Sequence, residues 1–355
     1  MPPQGRSAVR AALISLFTIA SIESLASARE ESASDPPIVS SALRPVPDET
    51  ACSADSPRTE PLQIWVQPEA GAKPLLQAIS KAQDSIRVMI YELGQGSMLA
   101  ALEEKARSGV RVRVILDAEH ALANQPAYDR LRAAGARVRW SSPQFKFSHA
   151  KTMILDGAVA MISTGNYDSS FLATSRDYVV RDVDPADVAT LVRLFDADWS
   201  MKKVDLRCTR LLIAPDNARE RLIALIDSAS STLEIESMQF SDDEVLMAVQ
   251  ARATAGVMVR IILADPAWVK ANQDAATFLA MSLIPVRYLR SPGVHVKSIL
   301  VDGRRAYLGS ENLSYTSLSK NREIGLIASD WAVVETVSAT FKADWAKAVH
   351  FRGSD

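Results

Sequence analysis

The sequence predicts an α/β protein of two similar halves, each a mixed, mostly parallel β-sheet flanked by helices, packed about a pseudo-twofold axis within one chain. Three observations carry this. From residue 62 onward strand-like and helix-like segments alternate, the pattern of a sheet covered by helices. The same series restarts after Leu211. Finally, Phe147-Ser148-His149-Ala150-Lys151-Thr152-Met153-Ile154-Leu155-Asp156 returns 146 positions later as Gly293-Val294-His295-Val296-Lys297-Ser298-Ile299-Leu300-Val301-Asp302, and both copies read His-x-Lys-x4-Asp.

Taken in order, Arg6 and Arg10 precede an apolar run from Ala11 to Ile22, and Ala26-Ser27-Ala28 forms an A-x-A cleavage site. Residues 1–28 therefore read as a secretory signal, the run of about 12 residues being short of the ~20 that span a bilayer. Residues 29–60, rich in Ser, Pro, Asp and Glu, have no apolar periodicity and read as a flexible leader. The first half, 61–200, opens with a strand at 62–66, a helix at 73–83, a strand at 85–91, a helix at 98–108 and a strand at 110–116. A helix from Pro126 to Ala134 and a strand at 137–140 lead into the motif. Residues 201–210 read as a crossing linker. In the second half, 211–350, helices at 217–228 and 243–255 alternate with strands at 233–238 and 257–263. Gly109–Leu116 aligns with Gly256–Leu263 at an offset of 147, so whole halves are duplicated.

Composition bounds the function. With 355 residues, 48% hydrophobic and 23% charged, the chain is an ordinary globular protein. Removal of residues 1–28 leaves 38 basic against 41 acidic side chains, a net charge of −3, which is no nucleic-acid footprint. Export would place Cys52 and Cys208 in an oxidising compartment, where an even pair is expected as a disulfide.

The chemistry lies in the repeat. On a strand, residues i and i+2 share a face, so His149 projects with Lys151 and His295 with Lys297. An ammonium beside the imidazole repels a divalent cation, so neither a metal nor another cofactor is expected; the set suits an anion. An Asn follows each Asp by ten residues (Asn166, Asn312), and an acid follows each Asn by eleven (Asp177, Glu323). The two lysines, the two Asn amides and the hydroxyls of Thr164 and Ser310 would surround one phosphodiester. Two histidines at one phosphorus allow a double displacement, one attacking and the other donating a proton to the departing oxygen. Asp177 and Glu323 suit carboxylates that fix an imidazole's tautomer, with the pairing left open. Asp156-Gly157 and Asp302-Gly303 are hairpin-turn signals, so the motif aspartates are expected to be structural. His120 and His350 have no such companions and read as surface histidines. Trp199 and Trp345 read as repeated core anchors. Lys320-Asn321-Arg322 reads as a phosphate-lining segment or a charged turn.

These motifs resemble the phospholipase D superfamily, whose signature is a paired His-x-Lys-x4-Asp followed by Gly-Ser-x-Asn. Gly309-Ser310-Glu311-Asn312 fits it, whereas the first copy has Ser163-Thr164 in place of Gly-Ser. The resemblance implies covalent phosphohistidine chemistry with the first-half histidine as nucleophile: His149 attacks and His295 does the acid/base work. The leading expectation is an exported phosphodiesterase that hydrolyses a glycerophospholipid to phosphatidate and a free alcohol. Such an enzyme would touch membrane surfaces transiently and work as a monomer without an obligatory protein partner; Trp268, Phe278, Leu279 and Met281 are candidates for that contact, though at helical spacing such residues are more often core. The alternatives are a phosphatidyltransferase like bacterial cardiolipin synthases, which commonly carry amino-terminal membrane helices; a metal-independent endonuclease; and a non-catalytic phosphodiester-binding protein.

Overall fold

The computed structural model describes residues 53–206 and 208–351. The signal-like segment, the leader up to residue 52 and Cys52 lie outside the described residues, as does Arg207. Cys208 is described and is not a free thiol.

The first half runs β1 (Gln63–Gln67), α1 (Lys73–Lys81), β2 (Ser85–Ile90), α2 (Ser97–Arg107), β3 (Arg111–Leu116), α3 (Ala121–Ala133), β4 (Arg137–Trp140), β5 (Lys151–Leu155), β6 (Val159–Ser163), α4 (Ser169–Thr174), β7 (Ser175–Asp182) and α5 (Pro185–Ser200). Its sheet has the order β1-β7-β6-β5-β2-β3-β4. The second half runs β8 (Leu212–Ala214), α6 (Ala218–Asp227), β9 (Thr232–Ser237), α7 (Asp243–Thr254), β10 (Met258–Ala264), α8 (Asn272–Met281), β11 (Val286–Leu289), β12 (Gly293–Val294), β13 (Lys297–Val301), β14 (Arg305–Gly309), α9 (Tyr315–Lys320), β15 (Glu323–Ala328), α10 (Trp331–Lys347) and β16 (Val349–His350). Its sheet has the order β16-β11-β10-β9-β13-β14-β15-β8.

Both sheets are mixed, with less parallel pairing than the alternation predicts. Within each half it is confined to β2-β3-β4 and β9-β10-β11. The motif strands β5 and β13 return through tight turns instead of helices, which makes the remainder antiparallel. Asp156 and Gly157 take φ of 53° and 65°, Asp302 and Gly303 take 52° and 60°, the left-handed pair that matches the twist of a two-residue hairpin.

Side-chain alternation makes each motif strand feed two cores. Ile154 and Leu300 face a core shared by both halves, where α5 and α10 lie between the sheets. Met153 and Leu155 face the outer core under α1, α2 and α3, and Ile299 and Val301 the corresponding core under α6, α7 and α8. Trp199 and Trp345, at the ends of α5 and α10, pack on the shared core. Guanidinium groups lie over both indoles, Arg139 at 4.9 Å from Trp199 and Arg287 at 4.2 Å from Trp345.

Two expectations need correction. The end of the leader is packed: the Arg58 side chain, 3% exposed, reaches Asp182 and Asp187 of the first half and donates to Ile327 O of the second at 2.9 Å. Composition hid this, because one buried arginine leaves no periodic signal. Helix α3 starts at Ala121, five residues before Pro126, where the sequence places its start. Two short exchanges stitch the halves together. Strand β12 adds in parallel to β7 of the opposite sheet, and Ser148 bridges in parallel to Arg322.

Candidate active site

The exchanges set the site. The chain entering the second motif pairs with the start of β7, with His295 N donating to Arg176 O at 3.3 Å. Asp177 is the next residue. Reciprocally, His149 N donates to Arg322 O at 2.8 Å, next to Glu323. Each acid therefore serves the histidine of the other half. Glu323 Oε2 accepts from His149 Nδ1 at 2.8 Å, and the two Asp177 oxygens lie 3.1 Å from His295 Nδ1.

Both histidines line one cavity of about 550 Å3, with Asn166, Asn312, Tyr91, Met238, Trp268 and Tyr315 among its walls. Burial, aided by the neighbouring lysines, pushes His149 down to about 4 against the pull of Glu323, and His295 is lowered for the same reasons. Burial alone would raise Asp177 and Glu323, but the facing histidines and lysines outweigh it and hold both below the usual carboxylate range. The consistent state is a neutral imidazole with its proton on Nδ1, aimed at an ionised carboxylate. Nε2 is then left with a lone pair.

Behind the histidines sit the lysines, both fully buried, each Nζ donating to the main-chain carbonyl of its own motif histidine. Burial pushes Lys297 down to about 8 and Lys151 well below its ordinary value. Asn166 and Asn312 each keep a side-chain oxygen without a protein partner.

The structure corrects the hydroxyls. Thr164 Oγ1 donates to Asp177 Oδ1 at 2.6 Å and accepts from Tyr178 N at 2.9 Å, while Ser310 Oγ accepts from Ile324 N at 3.0 Å. Both are buried outside the cavity lining, so they support the strands that carry the acids rather than contact phosphate. The first copy's departure from Gly-Ser has a packing reason. At Gly309 an added Cβ would stand 2.2 Å from the Glu311 carboxylate and 2.5 Å from the Tyr307 hydroxyl. At the matching positions of the first half stand Ser163, Gly165 and Met161, and Ser163 Oγ instead accepts from Gly165 N at 3.1 Å.

The motif aspartates lie outside the cavity lining. Asp156 accepts from the backbone N–H groups of Gln83, Asp84 and Ser85, and Asp302 from those of Ser230, Ser231 and Thr232. Of Lys320-Asn321-Arg322, only Asn321 lines the cavity. Arg322 is buried on Asp198, and Lys320 is exposed. Among the four residues expected at a membrane, Trp268 stands at the cavity, half exposed, and Met281 is 81% exposed. Leu279 and Phe278 pack in or on the second half's core.

Sequence reasoning missed Ser317 and saw Asn321 only as part of a phosphate-lining segment or charged turn; both donate to Glu323 Oε1, at 2.5 and 3.0 Å. No spacing signal marks them, because the first-half acid is held by Thr164 instead. It also missed Tyr91 and His120. His120 is no isolated surface residue: its Nε2 lies 2.8 Å from the hydroxyl of the cavity-lining Tyr91. Among the described residues no group of three or more His, Cys, Asp or Glu is arranged to hold a metal ion.

A family model described as "Cardiolipin synthase, PLD-like domain" matches residues 75–199 and again 222–345. The chain is 28% identical over 339 residues to cardiolipin synthase A of Pseudomonas aeruginosa, covering 83% of this chain and 69% of that one. In fold it is similar to phosphatidylserine synthase of Haemophilus influenzae, with TM-score 0.66 at 14% identity over 83% of this chain and 88% of that one. It is likewise similar to polyphosphate kinase of Porphyromonas gingivalis, with TM-score 0.66 at 20% identity. There the match covers 82% of this chain and about half, 48%, of the other.

Proposed function

Because the chain belongs to the phospholipase D superfamily, with its cardiolipin synthase-type domain present twice, we propose that it is a phosphatidyltransferase that moves a phosphatidyl group from one phospholipid to the alcohol of another. The observation that carries this is the crossed pairing of two neutral histidines with carboxylates of opposite halves around one cavity. It supplies two equivalent imidazoles, one to be attacked through and one to shuttle the proton.

In the first step His149 Nε2 attacks phosphorus and the bond from phosphorus to the headgroup oxygen breaks. His295, protonated while the anionic phosphodiester is bound, gives its Nε2 proton to that oxygen. Asp177 holds the imidazolium. In the second step neutral His295 takes the proton of an incoming alcohol, whose oxygen displaces His149 and restores the site. Lys151 and Lys297 supply positive potential from behind, and the amides of Asn166 and Asn312 suit the phosphoryl oxygens. Water competes for the same intermediate, so the phosphatidate-forming hydrolysis read from the sequence is the side reaction here. Relatives named cardiolipin synthases over most of the chain favour an alcohol acceptor.

The test is incubation with phosphatidylglycerol vesicles. Diphosphatidylglycerol and glycerol are expected in equal amounts, whereas phosphatidate as the sole lipid product would make the protein a hydrolase. Export is part of the proposal and rests on residues 1–28; a mature amino terminus at Met1 in the producing cell would refute it.

A further inference from the structure

The two sides of the cavity are unequal. In the first half Asn124 clamps the ends of two neighbouring strands: its Nδ2 donates to Tyr91 O at 2.9 Å and Asp117 O at 3.4 Å, and its Oδ1 accepts from Leu93 N at 3.1 Å. Asn272 repeats the clamp in the second half, donating to Met238 O at 2.8 Å and Ala264 O at 2.9 Å and accepting from Phe240 N at 3.0 Å. Met238 therefore takes the place of Tyr91, and Ala264 that of Asp117. Four residues before the clamp, the second half has Trp268 where the first has His120. The fold of a half does not need Tyr91, His120 or Asp117, since its duplicate is built without them.

In the first half these three form a chain into the cavity. Asp117, fully buried, accepts from Ser148 N at 2.6 Å and from His120 N at 3.1 Å, and its Oδ2 lies 3.3 Å from His120 Nδ1. A carboxylate surrounded by donors fixes the His120 proton on Nδ1 and leaves Nε2 as an acceptor. The partner of Nε2 is the Tyr91 hydroxyl at 2.8 Å, so the phenol donates. Tyr91 lines the cavity with its ring edge-on to His149, 4.6 Å between centroids. A phenol whose proton is committed to His120 offers only lone pairs. It is matched to an O–H and mismatched to a phosphoryl oxygen.

We propose that Tyr91, held by His120 and Asp117, accepts a hydrogen bond from a free hydroxyl of the substrate's alcohol moiety, so that this site selects a polyol headgroup. This rests on the phosphatidyl-transfer reading. Tyr91 is the group that touches substrate; His120 and Asp117 are positioning residues. The second half has Met238 and Trp268 in the matching places, so this contact comes from the first half alone.

The experiment compares phosphatidylglycerol with phosphatidylpropanol, whose headgroup has the same three carbons without the two free hydroxyls. Release of labelled headgroup is measured in mixed micelles, with the same concentration of methanol added throughout as a common acceptor, for the parent protein and for Tyr91→Phe, His120→Ala and His120→Gln. The parent should prefer phosphatidylglycerol in kcat/KM. Tyr91→Phe and His120→Ala should cut that ratio about three- to tenfold, the worth of one neutral hydrogen bond, while still turning over phosphatidylpropanol. His120→Gln, whose amide oxygen can accept from Tyr91, should keep the ratio. An unchanged ratio in Tyr91→Phe overturns the proposal, as does an equal loss on both lipids. If, without methanol, the parent consumes phosphatidylglycerol and forms no diphosphatidylglycerol, the transferase reading fails and the ratio still decides this one. A parent that turns over neither lipid overturns both.

Discussion

Replacing Glu323 by Gln should cost about three to four orders of magnitude in turnover while leaving the fold intact. Glu323 uses its two oxygens differently. Oε1 accepts from Ser317 Oγ and Asn321 Nδ2, whereas Oε2 accepts from His149 Nδ1. A glutamine has one acceptor end, and Ser317 Oγ and Asn321 Nδ2 both donate to that position. Its NH2 must then face Nδ1, which becomes an acceptor, and the ring proton moves to Nε2, where attack on phosphorus needs a lone pair. The measurement is a rapid acid-free quench with lipid labelled in the phosphate, counting label held on the protein, alongside steady-state turnover. Glu323→Gln should form almost no phosphoprotein. Asp177→Asn puts the same inversion on His295, so phosphoprotein should form slowly from a glycerol headgroup, but this first step should largely recover with a p-nitrophenyl headgroup, which departs without a proton. Recovery of Glu323→Gln in place of Asp177→Asn would exchange the roles of the two histidines. A loss below tenfold in Glu323→Gln, with unchanged melting temperature, would refute the tautomer argument altogether.

Acid should weaken the fold early: unfolded chain protonates His149 near 6.5, folded chain only near 4, so stability falls as pH drops through that window, by on the order of 3 kcal/mol from this group. His295 acts in the same direction, and a urea midpoint that stays constant from pH 7 to 4.5 would contradict the burial of neutral imidazoles. In the alkaline direction kcat/KM should decline as pH rises through about 8, where Lys297 gives up its charge; a flat profile to pH 10 would show that this ammonium is not needed. Arg58→Ala leaves Asp182 and Asp187 without this arginine in a buried setting and should destabilise by about 3–5 kcal/mol in thermal unfolding, a large effect for a residue next to an irregular leader. Asp302→Ala loses the carboxylate that caps three backbone N–H groups and places alanine at a φ of 52°, so about 2 kcal/mol of stability should go while turnover stays within twofold. A collapse of turnover in a folded Asp302→Ala protein would return the aspartate to the chemistry.

What could be read without coordinates was local or repeated. The alternation of strands and helices, the Asp-Gly turns after each motif and the sharing of a face by His149 and Lys151 follow from backbone geometry over a few residues, so patterning alone reveals them. The duplication shows in the chain because both copies keep the same spacings from His to Lys, Asp, Asn and acid. That same regularity hid the pairing of acid with histidine: Asp177 and Glu323 stand at equal offsets from their own histidines, so service within a half and across halves look identical in one dimension. Strand exchange decided it, since β12 on β7 and Ser148 on Arg322 bring each histidine beside the other half's acid. The supports of the acids differ between halves, Thr164 in one and Ser317 with Asn321 in the other, and repetition cannot expose what is not repeated. His120 was passed over for the same reason. Its partners Asp117 and Tyr91 are 3 and 29 residues away in the chain, without a periodic relation, and only the side-by-side packing of β2 and β3 joins them into one chain that ends at the cavity in Tyr91.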